Sequence, residues 1–249
     1  MSRINFASLI ILDYGSNFMK RVKSKILILL LAIAVSVPAA SGQWSIGLQM
    51  GASNNSLQTE SSYAYDRHYT SVWMPTVAIP VRYDFNNWFG LQSEVSIIFK
   101  NYGIMRSWHY AANEYVYNNT FLDIPIFARF KFGGQKLHGY VLAGAYIGAW
   151  LESNIYGRQM MYFDQDRDLG GYEFSETVKF DSRRDNRFDG GLAAGLGLQY
   201  TINRKFGIFA EARYYYGLTD LQKDYMRNKI PRYNNTILLQ IGVMYTFNK

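Results

Sequence analysis

From residue 43 onward, apolar and polar side chains alternate along the chain with a period of two, which is typical of β-strands whose two faces meet different surroundings. The clearest example is the segment 236–247, where every odd-numbered residue is apolar or aromatic. The even-numbered residues of this segment are small or polar, apart from Leu238 and Met244. The pattern predicts a strand with one apolar outer face and one mixed inner face.

Seven further segments show the same character, so that eight strands are predicted. They cover residues 44–53, 71–84, 88–101, 121–132, 138–152, 191–201 and 206–217. Most of these segments are longer than the ~5–6 residues of an average strand and match the ~9–11 residues that a tilted membrane strand needs. The sequence therefore predicts an all-β fold, an eight-stranded antiparallel transmembrane up-and-down β-barrel. In the segment 138–152 two apolar faces compete, and its orientation stays open.

Short and long connections alternate between the predicted strands. Short turns fall near 86–87, 133–136 and 203–205, and longer polar loops cover 54–70, 103–119, 153–188 and 218–234. Outer-membrane barrels have short periplasmic turns and longer extracellular loops. We therefore expect a barrel in the cell outer membrane, in contact with its lipid, with both chain termini on the periplasmic side.

The inner faces of the predicted strands carry charges of both signs. They are Arg82, Asp84, Glu94, Lys100, Asp123, Arg129, Lys131, Glu211 and Arg213. Because eight strands enclose a space that side chains can fill, these residues predict a salt-bridged plug, and a proton or ion path is the alternative.

Small and irregular residues on the inner faces add two smaller predictions. Gly191, Gly195 and Gly197 are expected to leave room for Phe209 and Tyr215. Pro125 lies in the middle of a predicted strand, where proline cannot donate a ladder hydrogen bond, so a bulge or an inward kink is expected there.

Residues 1–42 have the pattern of an N-terminal extension followed by a cleaved signal peptide. A basic stretch at 19–25 precedes an apolar run at 26–37, and Ala40 and Gly42 supply the small residues before a cleavage site at Gln43. The apolar run is shorter than the ~20 residues of a spanning helix, which disfavours a membrane anchor. We expect Sec export, a barrel domain at 43–249, and either Met1 or Met19 as the start of translation.

Composition supports a membrane barrel and disfavours other classes. Aromatic residues make up 17% of the chain, with 21 Tyr, as expected for interfacial aromatic belts. There is no Cys, which excludes disulfides and thiol nucleophiles. Residues 43–249 hold 21 basic and 18 acidic residues, too balanced for a nucleic-acid partner. The basic group Arg183, Arg184 and Arg187 alternates with Asp181, Asp185 and Asp189, which predicts a solvated loop.

Several segments resemble known outer-membrane proteins. The residues Gln240–Phe247 resemble the C-terminal signal that the barrel-assembly machinery recognises during biogenesis. Three segments resemble the PorT-type outer-membrane β-barrel family of the Bacteroidota: Phe121–Ile126, Gly191–Tyr200 and Arg213–Asp220. This resemblance implies the barrel fold and the location, and it suggests, for one class of members, assistance to type IX protein export. It transfers no functional residue to this chain.

No catalytic, cofactor-binding or metal-ligating residue is predicted. His68, His109 and His138 show no metal-ligand spacing, and the alternating carboxylates of 164–171 lack the glycine and glutamate positions of a calcium loop. The long loop 153–188 carries Tyr156, Tyr162, Phe163 and Tyr172, which could contact a partner or fold onto the barrel rim.

Four functions remain in competition at this point. The leading one is a non-enzymatic surface or assembly protein that binds through its loops. The second is an accessory component of a protein-export system, with export-system proteins as partners. The third is a barrel enzyme that modifies lipid or peptide. A soluble lipocalin-like carrier is the fourth, and the apolar outer faces of the strands argue against it.

Overall fold

The computed structural model describes residues 43–59, 67–108, 111–160, 171–223 and 231–247. These residues form an all-β structure whose strands are β1 (Gln43–Gln58), β2 (Arg67–Ser71), β3 (Trp73–Asp84), β4 (Phe89–Phe99), β5 (Tyr102–Trp108), β6 (Ala111–Gly133), β7 (Leu137–Met160), β8 (Gly171–Thr177), β9 (Phe188–Thr201), β10 (Phe206–Gly217) and β11 (Tyr233–Thr246). Within this described part, no helix is long and apolar enough to cross a membrane. The predicted signal peptide at 1–42 lies outside the described residues.

Eight of these strands form a closed antiparallel ring. The order around the ring is β1, β3, β4, β6, β7, β9, β10 and β11, and each of these strands pairs with the next ring strand along the chain. The ring closes where β1 pairs with β11, from Ser45 opposite Thr246 to Gln58 opposite Tyr233. Closure leaves no free sheet edge within the ring, as a structure surrounded by hydrocarbon requires. The predicted eight-stranded up-and-down barrel is confirmed.

The remaining strands extend one side of the ring beyond its rim. We call the end of the barrel away from the short turns its upper end. There β5 pairs with the N-terminal part of β6, β2 pairs with β5, and β8 pairs with the C-terminal part of β7. Together with the upper halves of β6 and β7 they form a five-stranded sheet, which we call the platform. The loops predicted at 103–119 and 153–188 are therefore wrong in part, because much of both segments is strand. The end of β1 likewise occupies the start of the loop predicted at 54–70.

The outer surface of the ring is an apolar band between two groups of aromatic side chains. Along β1 the outward residues are apolar from Trp44 through Leu48 to Ala52, and then become polar at Asn54 and Ser56. That apolar stretch has the length that a tilted strand needs to cross a bilayer core.

Aromatic rings mark both borders of the band. At the short-turn end, neighbouring rings of Trp44, Tyr83 and Phe85 lie 4.6 and 4.7 Å apart. At the opposite border Phe188 and Tyr216 are exposed. Tyr and Trp prefer the interface between headgroups and hydrocarbon, so both borders suit a bilayer.

The structure settles the orientation of β7, which the sequence left open. Tyr140, Leu142 and Tyr146 are buried inside the ring, whereas Val141 and Ile147 are exposed on its outer face. The aromatic rings thus face the interior, where they fill more space than valine or alanine would.

The bulge predicted at Pro125 is found elsewhere, although one of its two ladders is interrupted there. Pro125 stays opposite Tyr146 in the ladder with β7 and forms no bulge. The ladder between β4 and β6 is interrupted at Ile124 and Pro125 and resumes in the same register on the other side. A bulge instead falls between Thr120 and Phe121, where β7 contributes one extra residue. The bulge lies where the apolar band ends and the polar platform begins. Beyond it, the side chains of the bulged strand point to the opposite face.

Candidate functional site

The interior of the ring is the best-organised polar region of the described chain. At its middle, the guanidinium of Arg213 donates to both carboxylate oxygens of Glu94, at 2.6 and 2.9 Å, and also pairs with Glu211. Arg82 donates to the other oxygen of Glu211 at 2.7 Å. All four side chains are at most 4% exposed. Because each charge has an opposite charge within hydrogen-bond distance, the cost of burying it is largely offset.

Hydrogen bonds from neutral side chains complete this central group. Tyr140 donates to Glu211 at 2.6 Å, and Gln92 accepts from Arg82 at 2.7 Å. Gln49 donates to Glu94 at 2.7 Å. These partners come from strands on different sides of the ring, so the network connects the walls across the interior.

A second ionic group lies nearer the platform, around Lys100. Its ammonium is 2.7 Å from Asp123 and 2.6 Å from Asp189. The aromatic rings of Phe121 and Tyr146 lie 4.7 and 4.8 Å from it. The whole side chain of Lys100 is buried, and Thr219 donates to Asp189 at 3.0 Å. One cation here neutralises two carboxylates only in part.

A third ionic group lies at the short-turn end. Asp84 accepts from Arg129 at 3.1 Å through one oxygen and from Lys131 at 3.0 Å through the other. The other amino group of Arg129 donates to Gln199 at 3.0 Å and lies 3.4 Å from the imidazole of His138. A cavity of about 670 Å³ opens here between the short turns. In this group a single carboxylate is the ion-pair partner of two cations.

At the platform end the interior is closed by an apolar cluster and a lid. Tyr102, Phe121, Trp150 and Leu221 are buried together, and the ring of Phe180 lies 4.9 Å from that of Trp150. The lid consists of residues 178–187 and 218–223, which meet through backbone hydrogen bonds such as that from the amide of Asn186 to the carbonyl of Leu221 at 2.9 Å.

Within the lid, Asp185 holds two neighbours in place. Its carboxylate accepts from the guanidinium of Arg184 at 2.8 and 3.0 Å and from the amide of Asp181 at 2.8 Å. Partial burial alone would raise the pKa of Asp185, but these hydrogen bonds and the nearby positive charge lower it overall. The ionised carboxylate therefore stabilises the folded lid.

The structure brings all nine charged residues predicted for the inner faces into the interior or its mouth, and it pairs every one of them. Sequence reasoning missed Asp189, which was predicted in a solvated loop but is fully buried opposite Lys100. That loop prediction is also wrong for Asp185, which is 8% exposed. Extending the alternation of 191–201 backward by one pair would have placed Asp189 inside.

The inward glycines of β9 make room for bulky side chains, as predicted, but these are not the side chains that were predicted. A methyl group on Gly197 would meet the ring of Tyr140, and one on Gly195 would meet the Arg213 side chain. One on Gly191 would meet the ring of Tyr146. The inward glycines therefore make room for Tyr140, Tyr146 and Arg213 rather than for Phe209 and Tyr215.

The other candidate positions are not assembled into a site. His68 is exposed on β2 and His138 lies at the short-turn mouth, whereas His109 and the acidic segment 164–170 lie outside the described residues. Among the residues that the structure describes, no group of three or more acidic or histidine side chains is placed to hold a metal ion.

A closed ring with an apolar exterior and an ion-paired interior defines a small β-barrel of the outer-membrane class. The sequence profile of the family described as "Outer membrane protein beta-barrel domain" matches residues 36–223, and the chain belongs to this family. The protein is therefore an outer-membrane β-barrel. No curated protein sequence matches the chain significantly.

Solved structures with similar folds include outer-membrane barrels of several bacteria. The outer membrane protein OprG from Pseudomonas aeruginosa is 13% identical with a TM-score of 0.51, over 84% of this chain and 97% of that one. Ail, the attachment invasion locus protein of Yersinia pestis, is 16% identical with a TM-score of 0.40, over 82% and 99%. The outer membrane protease OmpT from Escherichia coli is 8% identical with a TM-score of 0.49, over 82% and 97%. At these identities the likeness to OprG bears on the fold alone.

Proposed function

We propose that the protein is a non-enzymatic outer-membrane protein that binds a partner at the cell surface through its platform. The observation that carries this proposal is the contrast between the two halves of β6 and β7. Their lower halves belong to the ion-paired barrel, whereas their upper halves continue past the bulge at Thr120 and join β2, β5 and β8. A protein that only anchored itself in the membrane would not need this extension.

The inner face of the platform suits a binding role because it is ordered by aromatic contacts. The rings of Tyr102 and Tyr117 stack at 4.9 Å, and those of Tyr115 and Phe174 lie 5.9 Å apart. Gly157 lies opposite Tyr115 and Phe174, and a methyl group there would meet both rings. Rigid aromatic side chains supply contact area at a low cost in conformational entropy.

The filled interior supports binding over transport. The buried side chains of Arg82, Glu94 and Arg213 cross the ring in a continuous network, and Leu221 covers the platform end. Carboxylates that are buried and ion-paired are also poorly placed to meet a lipid or peptide substrate, which favours a non-enzymatic role. A cleaved signal peptide, Sec export and periplasmic termini are part of this proposal.

Cell-surface labelling tests the orientation that the proposal requires. Because the chain has no Cys, single substitutions give unique labelling sites. Tyr156→Cys, on the outer face of the platform, should react with a membrane-impermeant maleimide on intact cells. Lys205→Cys, in a short turn, should react only after the outer membrane is permeabilised. The opposite pattern would overturn the surface role.

A second candidate is an accessory role in type IX export as a PorT-type protein. It is favoured by the resemblance of Phe121–Ile126, Gly191–Tyr200 and Arg213–Asp220 to that family. Cross-linking from the two cysteine variants separates the candidates. Partners captured only from the platform at Tyr156→Cys support surface binding. Export components captured from Lys205→Cys, together with loss of secreted cargo on deletion, support the accessory role.

A further inference from the structure

The buried charges of the barrel are not balanced locally. At the platform end Lys100 faces two carboxylates, Asp123 and Asp189, which leaves a negative excess. At the short-turn end Arg129 and Lys131 share the single carboxylate of Asp84, which leaves a positive excess. Arg129 is almost wholly buried, and because an uncompensated buried charge is costly, the short-turn end favours a bound anion.

The cavity at the short-turn end has the lining that an anion would need. Its charged walls are Arg82, Arg129, Lys131 and Arg204, and Asp84 is the one carboxylate among its described lining residues. Arg82 is already matched by Glu211. The cations without a full countercharge are therefore those that border the open part of the cavity.

Arg129 supplies a second and independent indication. Its side chain is almost wholly buried, and while its two amino groups contact Asp84, Gln199 and His138, its Nε–H has no hydrogen-bond partner among the described residues. A buried donor without a partner costs about 1–3 kcal/mol. A guanidinium edge matches the oxygen spacing of phosphate and carboxylate groups.

We propose that this cavity binds an oxyanion, a phosphate or carboxylate group, between Arg129, Lys131 and Arg204. Residues of all three short turns line the cavity, so it lies at the short-turn end of the barrel. A free anion and the phosphate of a lipid headgroup at the membrane surface share this chemistry. The site is separate from the platform and does not depend on the proposed surface binding.

Calorimetric titration of the folded protein in micelles of a phosphate-free maltoside detergent, with inorganic phosphate as the probe, tests the site. Lys131→Gln and Arg204→Gln should each weaken phosphate binding by about tenfold, the loss expected for one charge-assisted hydrogen bond. The matched controls are Lys136→Gln, in the turn that follows β6, and Lys205→Gln, next to Arg204; both remove one positive charge, and neither residue lines the cavity. Acetate serves as the carboxylate probe.

The outcomes separate the possible occupants. If adding phosphatidylglycerol to the micelles weakens phosphate binding, the lipid headgroup occupies the site; if it has no effect, a soluble anion does. Both results support the proposal. The proposal fails if neither phosphate nor acetate binds, or if the control variants weaken binding as much as Lys131→Gln and Arg204→Gln. Heat-modifiable migration of each variant on a gel verifies that the barrel has folded.

Discussion

The Nζ atom of Lys100 lies 2.6 Å from Oδ2 of Asp189, although 89 positions separate the two residues along the chain. Lys100 directly follows β4 and Asp189 lies near the start of β9, and these two strands are not neighbours in the ring. The contact therefore crosses the interior and forms only once the barrel has closed. It makes the Lys100 group a direct probe of how the interior contributes to stability.

Replacing Lys100 by Met should destabilise the barrel strongly. Two buried carboxylates would lose their cation, and breaking a buried ion pair from one side costs about 3–5 kcal/mol. Urea unfolding in lipid vesicles measures the change in free energy. The triple variant Lys100→Met, Asp123→Asn, Asp189→Asn should recover most of the loss because no unpaired charge remains. A Lys100→Met variant as stable as the parent would contradict the ion-paired interior.

Placing a methyl group at Gly197 should also destabilise the barrel. In Gly197→Ala the new Cβ would overlap the ring of Tyr140, whose hydroxyl donates to Glu211 at 2.6 Å. Overpacking of this kind costs about 1–3 kcal/mol. The control is Gly134→Ala, where a Cβ would meet only the Leu137 carbonyl oxygen at 3.5 Å. Equal stability of the two variants in urea would contradict the position of the Tyr140 ring against Gly197.

A charge on the outer surface should be tolerated on the platform and not in the apolar band. Leu196 is 62% exposed at the middle of the outward face of β9, and Tyr156 is 46% exposed above the bulge. Arginine at the bilayer midplane of a barrel costs about 2–4 kcal/mol, and near the interface about 0–1 kcal/mol. Unfolding in vesicles should therefore show a much larger loss for Leu196→Arg than for Tyr156→Arg. Similar losses would argue against the position of the band.

The lid should loosen as the carboxylate of Asp185 becomes protonated. Because folding lowers the pKa of this group, its stabilising effect is complete above the unfolded-state value of about 3.9. This stabilisation is lost as the pH falls through the lower pKa of Asp185 in the folded lid.

The variant Asp185→Asn imitates the protonated form at neutral pH, and trypsin should then cut after Arg183 and Arg184 several times faster. Ser182→Ala is the control, since the carbonyl and not the hydroxyl of Ser182 accepts from Lys223. If trypsin cuts Asp185→Asn no faster than the parent protein, Asp185 does not stabilise the lid.

The sequence predicted most of the ring because hydrocarbon imposes a strict rule on the outer face. Where a strand crosses the bilayer, its outward residues are apolar with few exceptions, such as Ser93, whose hydroxyl donates to the Pro125 carbonyl. The alternation is therefore easy to recognise, as in 236–247. The upper parts of β6 and β7 were predicted as loops because above the bilayer polar residues such as Glu114 and Asn118 are allowed on the outside. The alternation then disappears although the strand continues.

The partners inside the barrel could be predicted only as a group. The alternation shows that Lys100, Asp123 and Glu94 face inward, but the stagger of the strands decides which of them meet. That stagger depends on the register of the whole closed ring and not on any local pattern. For the same reason the glycines of β9 were matched to the wrong neighbours.

An accessibility scan of β11 in lipid vesicles tests the central claim most directly. Single cysteine variants at positions 237–241, 243 and 244 carry a nitroxide spin label, and collision rates with oxygen and with a water-soluble nickel complex are measured. We expect residues 237, 239, 241 and 243 to be reached by oxygen and not by nickel, and residues 238, 240 and 244 to be poorly reached by both. Nickel access to the odd-numbered positions, or the loss of the two-residue period, would contradict a lipid-facing outer surface around a filled interior.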